Sequence, residues 1–139
     1  HGEPGIERMQ LKSADEITEI LTTAILEDGA YTRNLSEWDP EKNDWVDVEV
    51  TDNRFESGDR AIVLINSMGG TPLGELYTVY RKVREIAEKK GVTIVRKLIG
   101  YYITSMEMQG VSITMVRTDD TMLDLYDAPV HTPGLRWGM

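Results

Sequence analysis

The middle of the chain constrains the fold most, because its apolar pattern changes from strand to helix and back. The nearly continuous apolar run from Arg60 to Ile65 (RAIVLI) predicts a strand that is covered on both faces. The spacing of apolar residues from Leu73 to about Lys90 predicts a helix, and Val92 to Ile99 is the next apolar run. Strand, helix and strand in this order imply a parallel pair joined by a right-handed crossover.

The predicted middle helix has a defined beginning, buried face and end. Thr71 and Pro72 stand where its N-cap and first helical residue are expected, and Gly91 follows its end. A helix with one apolar face is expected to pack on the sheet formed by the flanking strands. The residues predicted for that face are Leu76, Tyr80, Val83 and Ala87.

An amphipathic pattern nearer the start predicts another helix, from Ser13 to Leu26. Ser13 and Glu16 have the spacing of a capping box, in which each side chain accepts a hydrogen bond from the other residue's backbone N–H. The apolar residues of this segment fall on one helical face: Ile17, Ile20, Leu21, Ala24 and Ile25.

The remaining segments complete the predicted architecture. Tyr31 to Phe55 reads as a β-ribbon whose loop is the turn cluster Asp39 to Asp44. Val111 to Val116 predicts a further strand, and Thr121 to Tyr126 a short helix. We therefore predict an α/β fold: a mixed β-sheet with a parallel βαβ crossover, flanking helices and a β-ribbon, with residues 1–139 as a single α/β unit.

The composition excludes several classes of function. The chain has 139 residues, a formal net charge of −9 and no cysteine. Disulfides, zinc-thiolate sites and cysteine nucleophiles are therefore excluded, and a cytoplasmic location is expected. The acidic charge argues against nucleic acid as a partner, and no apolar run is long enough for a membrane span. The sequence opens at His1 instead of Met, which we interpret as the sign of a processed or partial chain.

The segment Asn66 to Pro72 (NSMGGTP) joins the predicted central strand to the helix. At such a position, backbone amides and the helix dipole can receive an anion or a polar ligand. The segment lacks the spacing of a P-loop or a dinucleotide-binding motif, so its two glycines have two open interpretations, a ligand cradle or simply the turn. We expect the segment and the neighbouring Glu75 to support the fold or a subunit contact instead of chemistry.

Two histidines are the candidates for acid, base or nucleophilic chemistry near neutral pH. His1 lies in the polar turn sequence HGEPG, which argues against a core position, whereas His131 lies in a tail punctuated by Pro and Gly where a surface or packing role is expected. At a mature N-terminus, the amine and imidazole of His1 can chelate copper. That alternative has little support, because the other histidine is remote in sequence and disulfides are impossible.

Acidic clusters and methionines do not predict a metal site. Asp119, Asp120 and the acids between Glu37 and Asp52 lack the spacing of calcium loops or zinc motifs. Acids at a helix start are also favoured by the helix dipole. The methionines at positions 68, 106, 108, 115 and 122 are expected to fill gaps in the core. No metal is therefore predicted for this chain.

Four sequence blocks, in order, resemble one protein family. They are HGEPG at the start, GDRAIVLINSMGGTPLGELYTVYRKV in the middle, IGYYITSMEMQGVSITM after it and DAPVHTPGLRWG at the end. Together they resemble the C-terminal half of the dihydroxyacetone-binding subunit of dihydroxyacetone kinases. The resemblance covers essentially the whole chain, which makes it more specific than any single motif above.

The resemblance implies a role for His1. In that family the histidine of HGEPG adds through a ring nitrogen to the carbonyl carbon of dihydroxyacetone and forms a covalent hemiaminal. By that match, His1 is the catalytic residue that binds the substrate covalently. Glycerol has no carbonyl group, so this bond would also select the ketone over the polyol.

The resemblance also implies that the chain is part of a larger assembly. The family's acid/base groups come from the N-terminal half of the subunit, which this sequence lacks, so no general base is assigned here. Phosphate is expected from a separate ADP-binding subunit that also carries magnesium and is recharged by a phosphotransferase-system protein. We therefore expect no cofactor on this chain, a phosphoenolpyruvate-dependent type of kinase and a homodimer of the full subunit.

A second function from a different class stays open. Paralogues of the same subunit serve as dihydroxyacetone-sensing co-activators of transcription factors and do not catalyse phosphoryl transfer. The acid/base pair that would discriminate the two functions belongs to the absent half. The sequence therefore predicts a dihydroxyacetone-binding chain and leaves kinase and co-activator as alternatives.

Overall fold

The computed structural model describes residue 5 and residues 7–52 and 54–138. No helix within these ranges is long and apolar enough to cross a membrane. In chain order the elements are α1 (Ala14–Leu26), β1 (Tyr31–Asp39), β2 (Asp44–Asp52), β3 (Arg60–Ser67), α2 (Leu73–Lys89), β4 (Thr93–Gly100), β5 (Val111–Arg117), α3 (Asp120–Asp127), β6 (Val130–His131) and β7 (Arg136–Trp137).

A three-stranded mixed sheet forms the centre of the fold. The central strand β3 pairs in parallel with β4 and antiparallel with β5. Helix α2 connects the two parallel strands, as a βαβ unit requires. The predicted α/β fold with a mixed sheet, flanking helices and a separate ribbon is therefore confirmed.

The core lies between this sheet and α2. Ala61, Val63 and Ile65 of β3 are completely buried, whereas the intervening Ile62 and Leu64 are only half-buried. The prediction that β3 is covered on both faces therefore holds for one face only. The buried residues of α2 are Leu76, Val79, Val83, Ile86 and Ala87.

Tyr80 lies at the margin of the predicted buried face of α2, where it packs against the core. Its ring is half-buried, and the Lys97 ammonium lies 5.0 Å from the ring centroid. An aromatic ring with a cation over its face is favourable at the margin of a core, where the ammonium keeps its water. Val79 and Ile86, which were not among the residues predicted for this face, are buried more deeply than Tyr80.

Helix α1 packs against α2 and begins at the predicted capping box. The Glu16 backbone N–H donates to the Ser13 hydroxyl (3.3 Å), and the Ser13 N–H donates to the Glu16 carboxylate (3.0 Å). Lys82 and Glu19 form an ion pair between the two helices, and Lys90 and Glu27, which follow their last residues, form another. The start of the helix was therefore readable from the sequence alone.

Two hairpins lie outside the sheet. In the ribbon, β1 and β2 pair in continuous antiparallel register, and Trp38 meets Trp45 edge to face at 5.8 Å between ring centroids. The tail hairpin β6–β7 was not predicted, because each strand has only two residues. It is held by Trp137, whose ring stacks on Tyr126 and whose indole N–H donates to the Ala128 carbonyl.

Replacing Ser13 with alanine is expected to lower the free energy of unfolding by about 1 kcal/mol near neutral pH, as for other N-cap serines. Hydrogen bonds from Ser13 hold the pKa of Glu16 below its ordinary value. A carboxylate with a lowered pKa in the folded state stabilises above its unfolded pKa and loses that effect as pH falls through the folded pKa. The difference between the parent chain and Ser13→Ala should therefore shrink in acid.

Urea denaturation at several pH values measures this effect. Glu16→Gln is the matched control, because Gln keeps an acceptor at the third helical position but does not titrate. If Ser13→Ala lowers the free energy of unfolding by the same amount at every pH, the capping-box assignment is contradicted.

Candidate functional site

Two loops meet where the parallel strands β3 and β4 end. Gly69 of the first loop and Met108 of the second form a parallel bridge. The Gly70 N–H donates to the Met108 carbonyl (2.8 Å), and the Ser105 N–H donates to the Met68 carbonyl (3.2 Å). We call residues 66–72 and 101–110 together the loop junction. Because ligands in α/β folds bind at the carboxyl ends of strands, this junction is the first place to look for a site.

Asn66 is the central side chain of the loop junction. It is 1% exposed, and its amide oxygen accepts hydrogen bonds from the backbone N–H groups of Tyr102 and Ile103, both at 2.9 Å. Its amide nitrogen donates to the Ile103 carbonyl (2.7 Å) and to the Ser112 hydroxyl (3.2 Å). One buried amide therefore fixes the beginning of the second loop to the end of β3.

Thr71 has a different role from the N-cap that was predicted. Pro72 is the N-cap of α2, with no side-chain capping bond. The Thr71 hydroxyl instead donates to the Gly110 carbonyl (2.8 Å) and accepts from the Gly110 N–H (2.9 Å). A hydroxyl that bonds both the backbone carbonyl and the backbone N–H of Gly110 is directed away from the helix terminus. Thr71 therefore joins the loop junction to the entry of β5.

The backbone amides of the NSMGGTP segment face protein acceptors. The Met68 N–H donates to the Gly110 carbonyl (3.0 Å), the Gly69 N–H to the Ser67 hydroxyl (3.1 Å) and the Gly70 N–H to Met108. These three donors are therefore not presented to an anion. Of the two open interpretations, the structure supports the turn over the ligand cradle.

A groove of about 640 Å³ lies between the loop junction and α1. Ile17 and Leu21 of α1 form one wall, and Glu75 lies exposed at the margin. Across from α1, the groove is lined by Gly70, Thr71, Pro72, Gln109, Gly110 and Val111. The walls are mainly apolar or backbone, so they match an apolar surface better than a charged metabolite.

The predicted site residue His1 lies outside the described residues, so its role as the covalent anchor stays a prediction. The copper alternative concerns the same residue and likewise stays untested. His131 is exposed on β6 and pairs across the tail hairpin with Arg136. The structure thus gives His131 the surface position that the sequence suggested.

The acidic pair at the start of α3 serves the fold. Asp119 is the N-cap of α3 and accepts from the Met122 N–H (2.8 Å), while Asp120 forms an ion pair with Arg60 (2.8 Å). In the ribbon turn, hydrogen bonds from Lys42 and the Glu41 amide lower the pKa of Asp39. Among the described residues, no group of three or more His, Asp or Glu side chains is arranged to hold a metal ion.

The expectation that the methionines fill core gaps is wrong for three of the five. Met106 is fully exposed, and Met108 and Met122 are also exposed. Met115 packs against the core, and Met68 is half-buried in the loop junction. Composition alone favoured burial, but the loop carrying Met106 and Met108 leaves the sheet before either side chain can reach the core.

Sequence reasoning did not identify the two polar side chains that organise the loop junction. Thr71 was predicted as the N-cap of α2, and Asn66 was given no separate role within the NSMGGTP segment. The available signal was the position of Asn66, directly after an apolar run that belongs to a buried strand. A polar amide at the end of such a run needs partners from a neighbouring loop.

Comparisons with known proteins find a matching domain family and several similar sequences. The profile of the Dak1 domain matches residues 1–134. The chain is 46% identical over 138 residues to the PEP-dependent dihydroxyacetone kinase, dihydroxyacetone-binding subunit DhaK, of Escherichia coli K12, covering 99% of this chain and 39% of that subunit. It is 38% identical to the dihydroxyacetone-binding subunit DhaK of PTS-dependent dihydroxyacetone kinase 2 from Listeria innocua, covering 96% of this chain and 33% of that protein. The chain thus spans less than half the length of these relatives.

Solved structures show the same fold. The dihydroxyacetone kinase operon co-activator Dha-DhaQ superposes with a TM-score of 0.65 at 24% sequence identity, covering 92% of this chain and 33% of that chain. A structure described as regulation of the dha operon of Lactococcus lactis gives a TM-score of 0.64 at 25% identity, covering 93% and 34%. At this level of identity the likeness concerns the fold.

Proposed function

The chain belongs to the Dak1 family, and on that premise we propose that it is the dihydroxyacetone-binding part of a dihydroxyacetone kinase. The observation that carries this proposal is its similarity to the E. coli dihydroxyacetone-binding subunit along nearly the whole chain. Because the chain spans less than half of that subunit, the activity, substrate and partners of the complete enzyme are all part of the proposal. We assign phosphoenolpyruvate dependence on the same similarity.

In this proposal His1 holds the substrate. A ring nitrogen of the neutral imidazole donates its lone pair to the carbonyl carbon of dihydroxyacetone, and the carbonyl π bond opens. The oxygen gains a proton and the imidazole loses its N–H proton, so the product is a hemiaminal with the combined mass of both reactants. The adduct fixes the hydroxymethyl group that receives the phosphoryl group. The substrate therefore loses translational and rotational entropy when it binds, before the phosphoryl transfer step.

The remaining groups of the reaction come from outside the chain. The hydroxyl oxygen of the bound substrate attacks the phosphorus of the donor, whose bond to its leaving group breaks, and the hydroxyl proton passes to a base. We assign that base to the rest of the subunit, and the donor, with ADP and magnesium, to a partner subunit recharged by a phosphotransferase-system protein. General-base assistance of this kind contributes roughly 10²–10⁴ in rate, so this chain alone should transfer little phosphate.

A chimera provides the test. This chain replaces the segment that it matches in the E. coli subunit, and the chimera is supplied with dihydroxyacetone labelled with ¹³C at the carbonyl carbon. We expect the label to change from a ketone signal to a tetrahedral-carbon signal, and native mass spectrometry to show the gain of one intact dihydroxyacetone. His1→Ala should lose both signals.

His131→Ala is the matched control, because the chain has two histidines and this one is exposed on β6. Its adduct should equal that of the parent chimera. A tetrahedral-carbon signal from protein-bound label, measured after free dihydroxyacetone and its hydrate are removed, that survives His1→Ala would refute the assignment of the anchor.

The co-activator alternative is favoured by one observation, the fold similarity to a structure described as an operon co-activator. Against it, the curated relatives with higher identity are kinase subunits. An assay of dihydroxyacetone phosphate formation with the ADP-binding partner subunit separates the two functions. Adduct formation without any product would favour the co-activator.

A further inference from the structure

An apolar surface lies exposed on the outer side of α1 and on the segment before it. We call it the α1 apolar surface, and its members are Met9, Leu11, Ile17, Ile20 and Leu21. Leu11 is 94% exposed, and Ile20 and Leu21 are each more than a third exposed. Apolar side chains clustered at helical spacing are typical of a face that packs against another element.

The burial of α1 departs from its sequence pattern. The residues that it buries against the rest of the molecule are Thr18, Thr22 and Leu26. The Thr22 hydroxyl oxygen is buried without a hydrogen-bond partner among the described residues, and the Thr18 hydroxyl donates to the Ala14 carbonyl of its own helix. The helix thus directs two threonines inward, while Ile20 and Leu21 are exposed and Ile17 is only half-buried.

The α1 apolar surface continues into the groove beside the loop junction. Leu11, Ile17 and Leu21 line both a smaller cavity of about 280 Å³ above α1 and the groove of about 640 Å³. One continuous depression therefore runs from Met9 to Val111. Among the described residues that line the two cavities, Lys12 and Glu75 are the charged ones.

We propose that the α1 apolar surface is an internal interface, occupied by the part of the Dak1 subunit that lies outside the segment this chain matches. This deepens the proposed function, in which the substrate site is completed by that part. The chain matches 39% of the E. coli subunit, so most of the longer polypeptide is available to cover the surface. The whole chain has a net charge of −9, yet the α1 apolar surface is almost free of charge. We therefore expect the occupant to present apolar side chains to it.

The location of the surface also fits an occupant from the same polypeptide. Residues 7–13 lead directly into α1, and Met9 and Leu11 belong to the surface. The segment that carries HGEPG is therefore continuous in sequence with the surface. An occupant on this surface lies beside the stretch of chain that leads to His1.

A binding experiment without dihydroxyacetone tests the proposal. The full chain is mixed with the part of the E. coli subunit that it does not match, after circular dichroism shows that this part is folded, and the masses in solution are measured by light scattering. We expect a one-to-one complex. Leu21→Glu places a charge in the interface and should weaken the complex roughly 100-fold.

Leu125→Glu is the matched control, because Leu125 is a 73% exposed leucine on α3, outside the α1 apolar surface. It should bind as the parent chain does, and the helical circular dichroism of both variants should equal that of the parent. Absence of the complex, or equal binding by Leu21→Glu, would overturn the proposal. A dimer of the chain alone that Leu21→Glu dissociates would instead assign the surface to a second copy. Since no ligand is added, failure here leaves the covalent role of His1 unaffected.

Discussion

Asn66→Ala is expected to lower the free energy of unfolding by about 3 kcal/mol, because it leaves several buried backbone groups without partners. In the parent chain the Asn66 amide accepts from two consecutive N–H groups, those of Tyr102 and Ile103, and donates to the Ile103 carbonyl. Alanine can replace none of these bonds. Urea denaturation measures the loss, and hydrogen exchange should show the amides of Tyr102 and Ile103 losing protection first.

Ser112→Ala is the matched control for this substitution. It removes the weaker of the two main acceptors of the Asn66 amide nitrogen, while the Ile103 carbonyl still accepts at 2.7 Å. We expect a loss of about 1 kcal/mol or less, the net contribution of a single hydrogen bond. Equal losses in the two variants would show that Asn66 does not organise the loop junction.

Gly69→Ala should cost about 2–4 kcal/mol, since two physical effects act at one position. The backbone of Gly69 has φ +112°, a conformation that residues with a side chain rarely adopt. A Cβ atom there would overlap the backbone carbonyl oxygen of Ser105. Neither the strain nor the clash can be relieved by a rotamer change, so the loops must separate. Thermal and urea denaturation both report the loss.

Gly74→Ala is the appropriate comparison, because its Cβ would meet no atom within 4 Å and the residue lies in the first turn of α2. Alanine has the higher helix propensity, so this variant should be as stable as the parent or slightly more stable. If Gly69→Ala were equally harmless, the close approach of the two loops would be wrong.

The parts of the fold that were predictable are those in which local pattern and tertiary packing agree. The apolar run of β3, the period of α2 and the capping box at Ser13 each follow from side chains within one element. The order of these elements then predicted the parallel pair. Periodicity succeeds here because the same residues that define the element also form its buried face.

The parts that failed depend on what lies opposite an element. The apolar face of α1 was recognised correctly, but Thr18 and Thr22 are the residues that it buries in this chain. Periodicity indicates that a face is apolar and carries no information about which surface covers it. Thr71 failed for a similar reason, since its hydroxyl binds Gly110, a residue distant in sequence, instead of the helix beside it.

The candidate site was predicted through family resemblance instead of through local pattern. Nothing in the composition or spacing around His1 predicts a covalent bond to a ketone. The loop junction shows the reverse case, in which an organising side chain such as Asn66 becomes visible only when both loops are seen together. Family resemblance thus predicts the chemistry of His1, whereas the structure is needed to find the contacts of Asn66 between the two loops.

The ribbon and the tail hairpin carry all three tryptophans of the chain, at positions 38, 45 and 137. The buried core cluster contains none. Intrinsic fluorescence therefore reports on two peripheral hairpins, whereas far-ultraviolet circular dichroism follows α1 and α2. A two-stranded hairpin has little stability of its own, so the two signals need not change at the same denaturant concentration. Stability measurements on this protein should accordingly use the helical signal, with tryptophan fluorescence kept as a separate probe of the ribbon and the tail hairpin.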